Sequence, residues 1–318
     1  MSGLKENWTG RISNQELAPQ YWHQIIQCND INNLDNNVDI AIVGYVCDEG
    51  VKRNLGRVGA QNGPQKLREK LAKLPVHFRP KQIVDVGDVI CVDNDMEACQ
   101  NGLSIIITRL LENNIFPLVI GGGHDIAYGH FNGIREFIKD KLNTRIGIIS
   151  FDAHFDLRPV ENKPNSGTPF NQVVQDLKAL GETLDYFVIG IQEQSNTKEL
   201  FDIAKRENVD YVLSNQCEIF SDIETLKNKL EVFISNVDYI YLTIDMDCFS
   251  LAYAPGVSAP SPLGLTPQFV FKIITFLFQT KKMISCDIAE LNPKVDFNNH
   301  TSILASRLLD FVATHIHI

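Results

Sequence analysis

The chain has no apolar run long enough to cross a membrane. Its longest, Phe269 to Phe278, is ten residues and contains Lys272, against the roughly 20 that a spanning helix needs. Positive charge is not in surplus either: 29 Lys and Arg against 39 Asp and Glu leave a formal charge of −10. That balance argues against nucleic acid or an anionic membrane surface as a partner. The stretch Met1 to Asn7 has no apolar segment of the kind a secretory signal carries. Seven cysteines lie scattered without a CxxC pair, an odd set that reads as reduced thiols in a cytoplasm rather than a disulfide frame. Cys248, beside Asp247, reads as a small packing residue. No Pro/Gly/Ser linker, internal repeat or low-complexity tract divides the 318 residues. The 44% hydrophobic and 21% charged content is that of an ordinary globular chain with ample core. We expect a single domain, with a polar N-terminal extension of about residues 1–36 packed on it through Trp8 and Tyr21-Trp22-His23.

What the chain does have is chemistry at the ends of apolar runs. Arg145 to Ile149 is short and apolar, as a buried parallel strand should be, and it enters Ser150-Phe151-Asp152-Ala153-His154-Phe155-Asp156. In a strict strand Asp152, His154 and Asp156 would point to one face. Phe116 to Ile120 runs into Gly121-Gly122-Gly123-His124-Asp125, and Tyr239 to Ile244 runs into Asp245-Met246-Asp247. Open α/β sheets place their sites at the carboxyl ends of strands, so three such ends can meet at one edge. The pool is His124, Asp152, His154, Asp156, Asp245 and Asp247. Four carboxylates at close range repel and raise one another's pKa, and two divalent cations would neutralise them. Oxygen-dominated coordination with one imidazole per ion suits Mn²⁺ better than Zn²⁺.

The triple glycine invites a dinucleotide reading, but the spacing fails. Counting from Gly121, the sixth position is Ile126 rather than Gly or Ala. The glycines are better explained as room for the backbone to turn His124 inward. Elsewhere strands and helices alternate. Strands are expected at Val38–Val46, Gln82–Val86, Tyr186–Ile189, Asp210–Leu213 and Lys282–Ile288. Helices are expected near Asn94–Asn113, Asn171–Leu180, Thr197–Glu207, Ile223–Ser235, Thr266–Gln279 and Ser302–Thr314. Asn62 and Pro64 signal the start of another helix, running to about Lys73. Repeated β-α units with buried strands predict one doubly wound, mostly parallel sheet with helices on both faces.

The trio GGGHD, DAHFD and DMD resembles the ureohydrolases, the arginase and agmatinase superfamily of dimanganese enzymes. A late Ala289-Glu290-Leu291-Asn292-Pro293 extends the match over most of the chain. Finer runs resemble the superfamily's histidine-degrading branch: Cys47 to Ala60, Ser166-Gly167-Thr168-Pro169-Phe170, and Ala254 to Pro260. One departure is plain: arginases and agmatinases carry a loop histidine near the SGTPF stretch, and here no histidine occurs between His154 and His300. The resemblance implies a three-layer α/β/α sandwich around a sheet of about eight strands. It implies two Mn²⁺ per subunit, one held by His124, Asp152, Asp156 and Asp245. Asp152, His154, Asp245 and Asp247 would hold the other.

The implied reaction is attack of a metal-bridging hydroxide on the amidine carbon of N-formimidoyl-L-glutamate, releasing L-glutamate and formamide. Asp156 would shuttle the proton and Glu290 would pair with the cationic amidine. Because that substrate carries two carboxylates, Arg158, Arg53 and Arg57 are candidate anchors, with Asn54, Ser166 and Thr168 as hydrogen-bond donors. Members of the superfamily often form trimers or hexamers, so a homo-oligomer is part of the same expectation. Two rival readings stay open: a urea-releasing ureohydrolase acting on a guanidine, and a metal-binding scaffold without turnover.

Overall fold

A computed structural model describes residues 5–11, 19–35, 37–217 and 220–316. Parts of the N-terminal extension, and the last two residues, therefore lie outside the described residues. Among the described residues nine strands form one sheet, all paired in parallel. They are β1 (Gln27–Cys28), β2 (Ile40–Val46), β3 (Ile83–Ile90), β4 (Phe116–Ile120), β5 (Ile146–Phe151), β6 (Asp185–Ile191), β7 (Asp210–Leu213), β8 (Tyr239–Asp245) and β9 (Met283–Ala289). Their spatial order is β1-β3-β2-β4-β9-β8-β5-β6-β7. The ninth strand beyond the expected eight is β1, a two-residue edge inside the stretch that reads as irregular. Two residues, Gln27 and Cys28, are too few to carry a strand pattern.

Two one-turn helices, α1 (Trp22–Ile25) and α2 (Glu49–Arg53), precede α3 (Gly63–Leu71), α4 (Met96–Glu112), α5 (Ile126–Ile138) and α6 (Pro169–Ala179). Then come α7 (Lys198–Arg206), α8 (Phe220–Ser235), α9 (Pro267–Gln279) and α10 (His300–His315). Alternate residues of a strand face opposite sides, and the core divides accordingly. Ile40 and Ile42 pack with α3, α8, α9 and α10 on one face. Ala41 and Val43 pack with α4, α5, α6 and α7 on the other. Trp8 and Trp22 are buried against the first face. Among the described residues no helix is long and apolar enough to cross a membrane.

Some helix starts follow local capping chemistry and others do not. Thr266 caps α9 by accepting from the Phe269 N–H, and Asp95 caps α4 by accepting from Ala98. Asn62 makes no such bond; a short 3₁₀ turn, Ala60–Asn62, leads into α3 instead. Helix α6 starts two residues earlier than expected because Pro169 sits in its first turn, where its missing N–H costs nothing.

The strand order explains where the site must lie. From β2 the chain steps outward to β3, crosses back to β4 on the other side of β2, jumps to β5, and winds outward through β6 and β7. Strands β8 and β9 then fill the gap between β4 and β5. The four central strands therefore meet at the reversal of winding, the place where a crevice opens beyond the carboxyl ends. Those ends carry Gly121 to Asp125, Glu290, Asp245 to Asp247, and Asp152 to Asp156.

Candidate functional site

The turn after β4 works because its glycines leave no room for side chains. A Cβ on Gly122 would lie 1.7 Å from the Cys47 carbonyl oxygen. The Gly123 N–H donates to that same carbonyl at 2.9 Å. So anchored, the turn delivers His124 to the crevice with its ring wholly buried, its edge against Phe170. The turn after β5 departs from the strict-strand expectation. The strand ends at Phe151, and Asp156 adopts φ 51°, a left-handed conformation that is uncommon outside glycine. Asp152, His154 and Asp156 thus converge by bending of the backbone rather than by strand alternation. Asn196 locks the bend, accepting from the Phe155 N–H and donating to the Ala153 and Gln192 carbonyls. After β9, Glu290 also takes positive φ (65°), and its backbone N–H donates to Gly122 at 2.8 Å.

The outcome is a crowded acidic cluster. His124 Nδ1 lies 2.7 Å from Asp156 Oδ2, 3.0 Å from Asp152 Oδ2 and 3.4 Å from Asp245 Oδ2. His154 Nδ1 lies 3.2 Å from Asp247 Oδ2 and 3.5 Å from Asp152 Oδ1. Two sets of ligand atoms are close enough to share a cation: His124, Asp152 and Asp245, and Asp152, His154 and Asp247. Asp152 belongs to both. Asp245 Oδ1 accepts from the Asp247 N–H, which ties the third strand end into the same knot.

Electrostatics show how strained the cluster is without counter-charge. Burial, then the repulsion of Asp152, pushes Asp156 up to about 6. Burial, reinforced by Asp247 and Asp152, holds Asp245 well above the usual carboxylate range. Glu290 is pushed up to about 8, chiefly by burial. Asp152 goes the other way: burial opposes its charge, but His124 and His154 beside it outweigh burial and hold it at about 2. Both histidines are held well above their ordinary value, because the surrounding carboxylates overcome burial. Protons stand in for cations here. Among the described residues, buried oxygens of Asp152 (Oδ2), Asp247 (Oδ1) and Glu290 (Oε2) have no hydrogen-bond partner, a costly state that a bound cation would relieve.

The cluster forms the floor of a cavity of about 330 Å³, a volume suited to a small polar metabolite. Asn54, Arg57, Arg158, Ser166 and Ser258 contribute to its walls, with Asp156, Asp245, Asp247 and Glu290 below. Arg158 lies across Gly167, whose missing side chain gives it room, and its guanidinium has no ion-pair partner among the described residues. Arg57 reaches the Val257 and Ser258 carbonyls. Asn54 donates to Ser166 Oγ at 3.1 Å.

Two of the expected anchors stand elsewhere. Arg53 is engaged by Glu49 and Glu97 and does not border the cavity. The Thr168 hydroxyl is buried against Asn165 and Gln172. Asn196 and Ser195 are wall residues that the sequence does not single out, since an isolated Asn-Ser pair in a loop carries no spacing signal.

This fold and site define a class. The arginase family model matches residues 38–313, and the chain belongs to the arginase family. The formimidoylglutamase of Geobacillus sp. (strain WCH70) is 40% identical over 317 residues, covering 98% of this chain and 95% of the relative. Among solved structures, the formimidoylglutamase from Bacillus subtilis subsp. subtilis str. 168 superposes with a TM-score of 0.84 at 22% identity, covering 96% of this chain and 94% of that one. Trypanosoma cruzi formiminoglutamase with Mn2+2 gives 0.75 at 24% identity, covering 88% and 94%. At those identities the solved structures speak to fold.

Proposed function

We propose that the protein hydrolyses N-formimidoyl-L-glutamate to L-glutamate and formamide, with two Mn²⁺ ions per subunit. The observation that carries the reading is the sharing of Asp152 between two imidazole–carboxylate sets, with unpartnered buried oxygens around it. That donor set fits a pair of hard divalent cations and nothing apolar. His124, Asp152, Asp156 and Asp245 would hold one ion. Asp152, His154, Asp245 and Asp247 would hold the other. Bound there, two such ions acidify a water towards hydroxide and so supply a nucleophile at neutral pH.

The chain's own residues do the rest. The unpaired Glu290 Oε2 faces the cavity and pairs with the cationic amidine, holding its carbon over the cluster. The Asp156 carboxylate takes the proton of the attacking water and returns it to the departing glutamate nitrogen. One C–N bond breaks and one C–O bond forms, and the two products are formamide and the free amino acid. Arg158, unpaired and at the wall, takes a substrate carboxylate, with Arg57, Asn54 and Ser166 beside it. Arg53, already bound to Glu49 and Glu97, is left to hold its loop.

The direct test is a product assay on manganese-loaded protein. Formimidoylglutamate, arginine, agmatine and guanidinobutyrate are offered side by side, and formamide and urea are quantified separately. We expect formamide and glutamate from the first substrate alone. Urea from any of the others would overturn the substrate assignment, and chelation of the metal should abolish turnover. For Arg158→Ala we expect KM to rise by about 10–100-fold with kcat changed far less. A lost charge-assisted hydrogen bond is worth about 1.5–3 kcal/mol. An unchanged KM would remove Arg158 from the binding role.

A further inference from the structure

Behind the cluster lies a second set of polar side chains that the reaction above does not use. His124 turns its other ring nitrogen, Nε2, away from the carboxylates and towards Thr243 Oγ1 at 2.9 Å. The Thr243 hydroxyl donates to Asp287 Oδ1 at 2.6 Å. Asp287 Oδ2 accepts from the Tyr241 hydroxyl and lies 2.6 Å from His130 Nδ1. The far nitrogen of His130 meets Ser285 Oγ. Pairing of β8 with β9 sets Thr243 opposite Asp287 and Tyr241 opposite Ser285, while His130 descends from α5. All six side chains are at most 1% exposed, so bulk solvent does not reach them.

Counting donors fixes the protons. An Asp287 carboxylate only accepts, and it faces three groups able to donate: the Thr243 and Tyr241 hydroxyls and His130 Nδ1–H. Burial and the neighbouring Asp287 keep the Tyr241 phenol well above its usual range, so it stays a donor. Thr243 has one hydroxyl proton, and Asp287 takes it. Only lone pairs of the Thr243 oxygen remain for His124, so Nε2 must carry a hydrogen. In the neutral ring the free lone pair then sits on Nδ1, the nitrogen that faces Asp152, Asp156 and Asp245. A lone pair among three carboxylate oxygens is repulsive unless a cation lies between them. Were Thr243 to donate to Nε2 instead, the ring hydrogen would move to Nδ1 and exclude the cation.

We propose that Asp287, acting through the Thr243 hydroxyl, is a positioning residue that holds His124 as its Nε2–H tautomer and so aims Nδ1 at the metal, with Tyr241 and His130 keeping the Asp287 carboxylate in place. The inference rests on the dimetal reading and extends it to residues that touch neither metal nor substrate. A partner on the non-ligating nitrogen of a metal-binding histidine generally matters to affinity by about 10–100-fold.

The test is titration of the folded, metal-stripped protein with Mn²⁺, following the free ion by electron paramagnetic resonance. Wild type, Thr243→Val, Thr243→Ser and Asp287→Asn are compared. Valine keeps the shape of threonine without the hydroxyl. The asparagine amide can donate to Thr243 and reverse the chain of donors. We expect wild type to take up two ions. Thr243→Val and Asp287→Asn should each weaken one ion about 10–100-fold, leave the other at wild-type affinity, and lose no secondary structure by circular dichroism; Thr243→Ser should restore both. If Asp287→Asn does not fold, the Val and Ser pair decides. Wild-type uptake of both ions by Thr243→Val overturns the inference, as does equal weakening of both. Wild type that takes up no Mn²⁺ overturns the dimetal reading and this inference together.

Discussion

Asp156→Asn should lower turnover on formimidoylglutamate by about 10²–10⁴-fold, the usual worth of a positioned acid–base group, while Mn²⁺ remains partly bound. Asp156 is buried at the cavity floor with Oδ2 2.7 Å from His124 Nδ1, so it is fixed beside the place where a nucleophile must form. A carboxylate so placed can accept a proton and hand it on, which is the work of a positioned acid–base group. Asparagine occupies the same space and keeps an oxygen that can face a cation. What it cannot do is accept a proton from the attacking water and give it to a leaving nitrogen. The measurement is kcat beside Mn²⁺ content in the same preparation. A fully active variant would end the shuttle role. Loss of all metal would show instead that Asp156 acts as a ligand above all.

The legible part of this protein is the part that repeats a simple physical rule. Apolar runs ending in Asp, His or Gly announced strands β4, β5 and β8 and their site-bearing ends, because a buried parallel strand must be apolar on both faces. Element bounds were less legible where packing overrode local signals. Strand β3 continues to Ile90 through Gly87 and Asp88, since pairing with β2 carries it beyond its apolar start. The charge function of the N-terminal loop was half legible. Arg53 and Arg57 read alike as candidate substrate anchors, yet Arg53 has Glu97 from α4 as its partner, a contact made 44 residues away that no local pattern encodes.

The least legible feature was the polar layer beneath His124. Tyr241, Thr243, Ser285 and Asp287 sit inside runs that read as ordinary buried strands. Only the register of β8 against β9 turns them into one network. The same holds for Asn196, whose three hydrogen bonds fix the Asp152–Asp156 bend from a distant loop. Ligands at strand ends reveal themselves by type and spacing, whereas the groups that orient them do so only through pairing.

Replacing Arg68 with alanine should destabilise the fold by about 3–5 kcal/mol, the cost of removing one partner of a buried ion pair. Arg68, on α3, is wholly buried. Its Nε and one terminal nitrogen grip Asp85 of β3 at 2.7 and 2.9 Å, and its other nitrogen reaches Asp88 at 2.6 Å. Asp85 is as deeply buried and also accepts from Trp8 Nε1 at 2.8 Å and from the Gly87 N–H at 3.1 Å. Trp8 stood out in the sequence as an anchor; the buried charge beneath it did not, because Asp85 lies within the apolar run of β3. Without Arg68, Asp85 keeps two neutral donors and no cation, in a place from which water is excluded. Single domains are stable by about 5–15 kcal/mol, so a loss of this size would consume a large share of the total. It should appear as a fall in Tm on the order of 10 °C, measured by calorimetry on metal-free protein so that ion binding does not mask it. Arg68→Met combined with Asp85→Leu should be less destabilised than Arg68→Met alone, since the second change removes the stranded charge. If the double variant melts lower than the single one, the cost lies in packing around α3 rather than in the unpaired carboxylate.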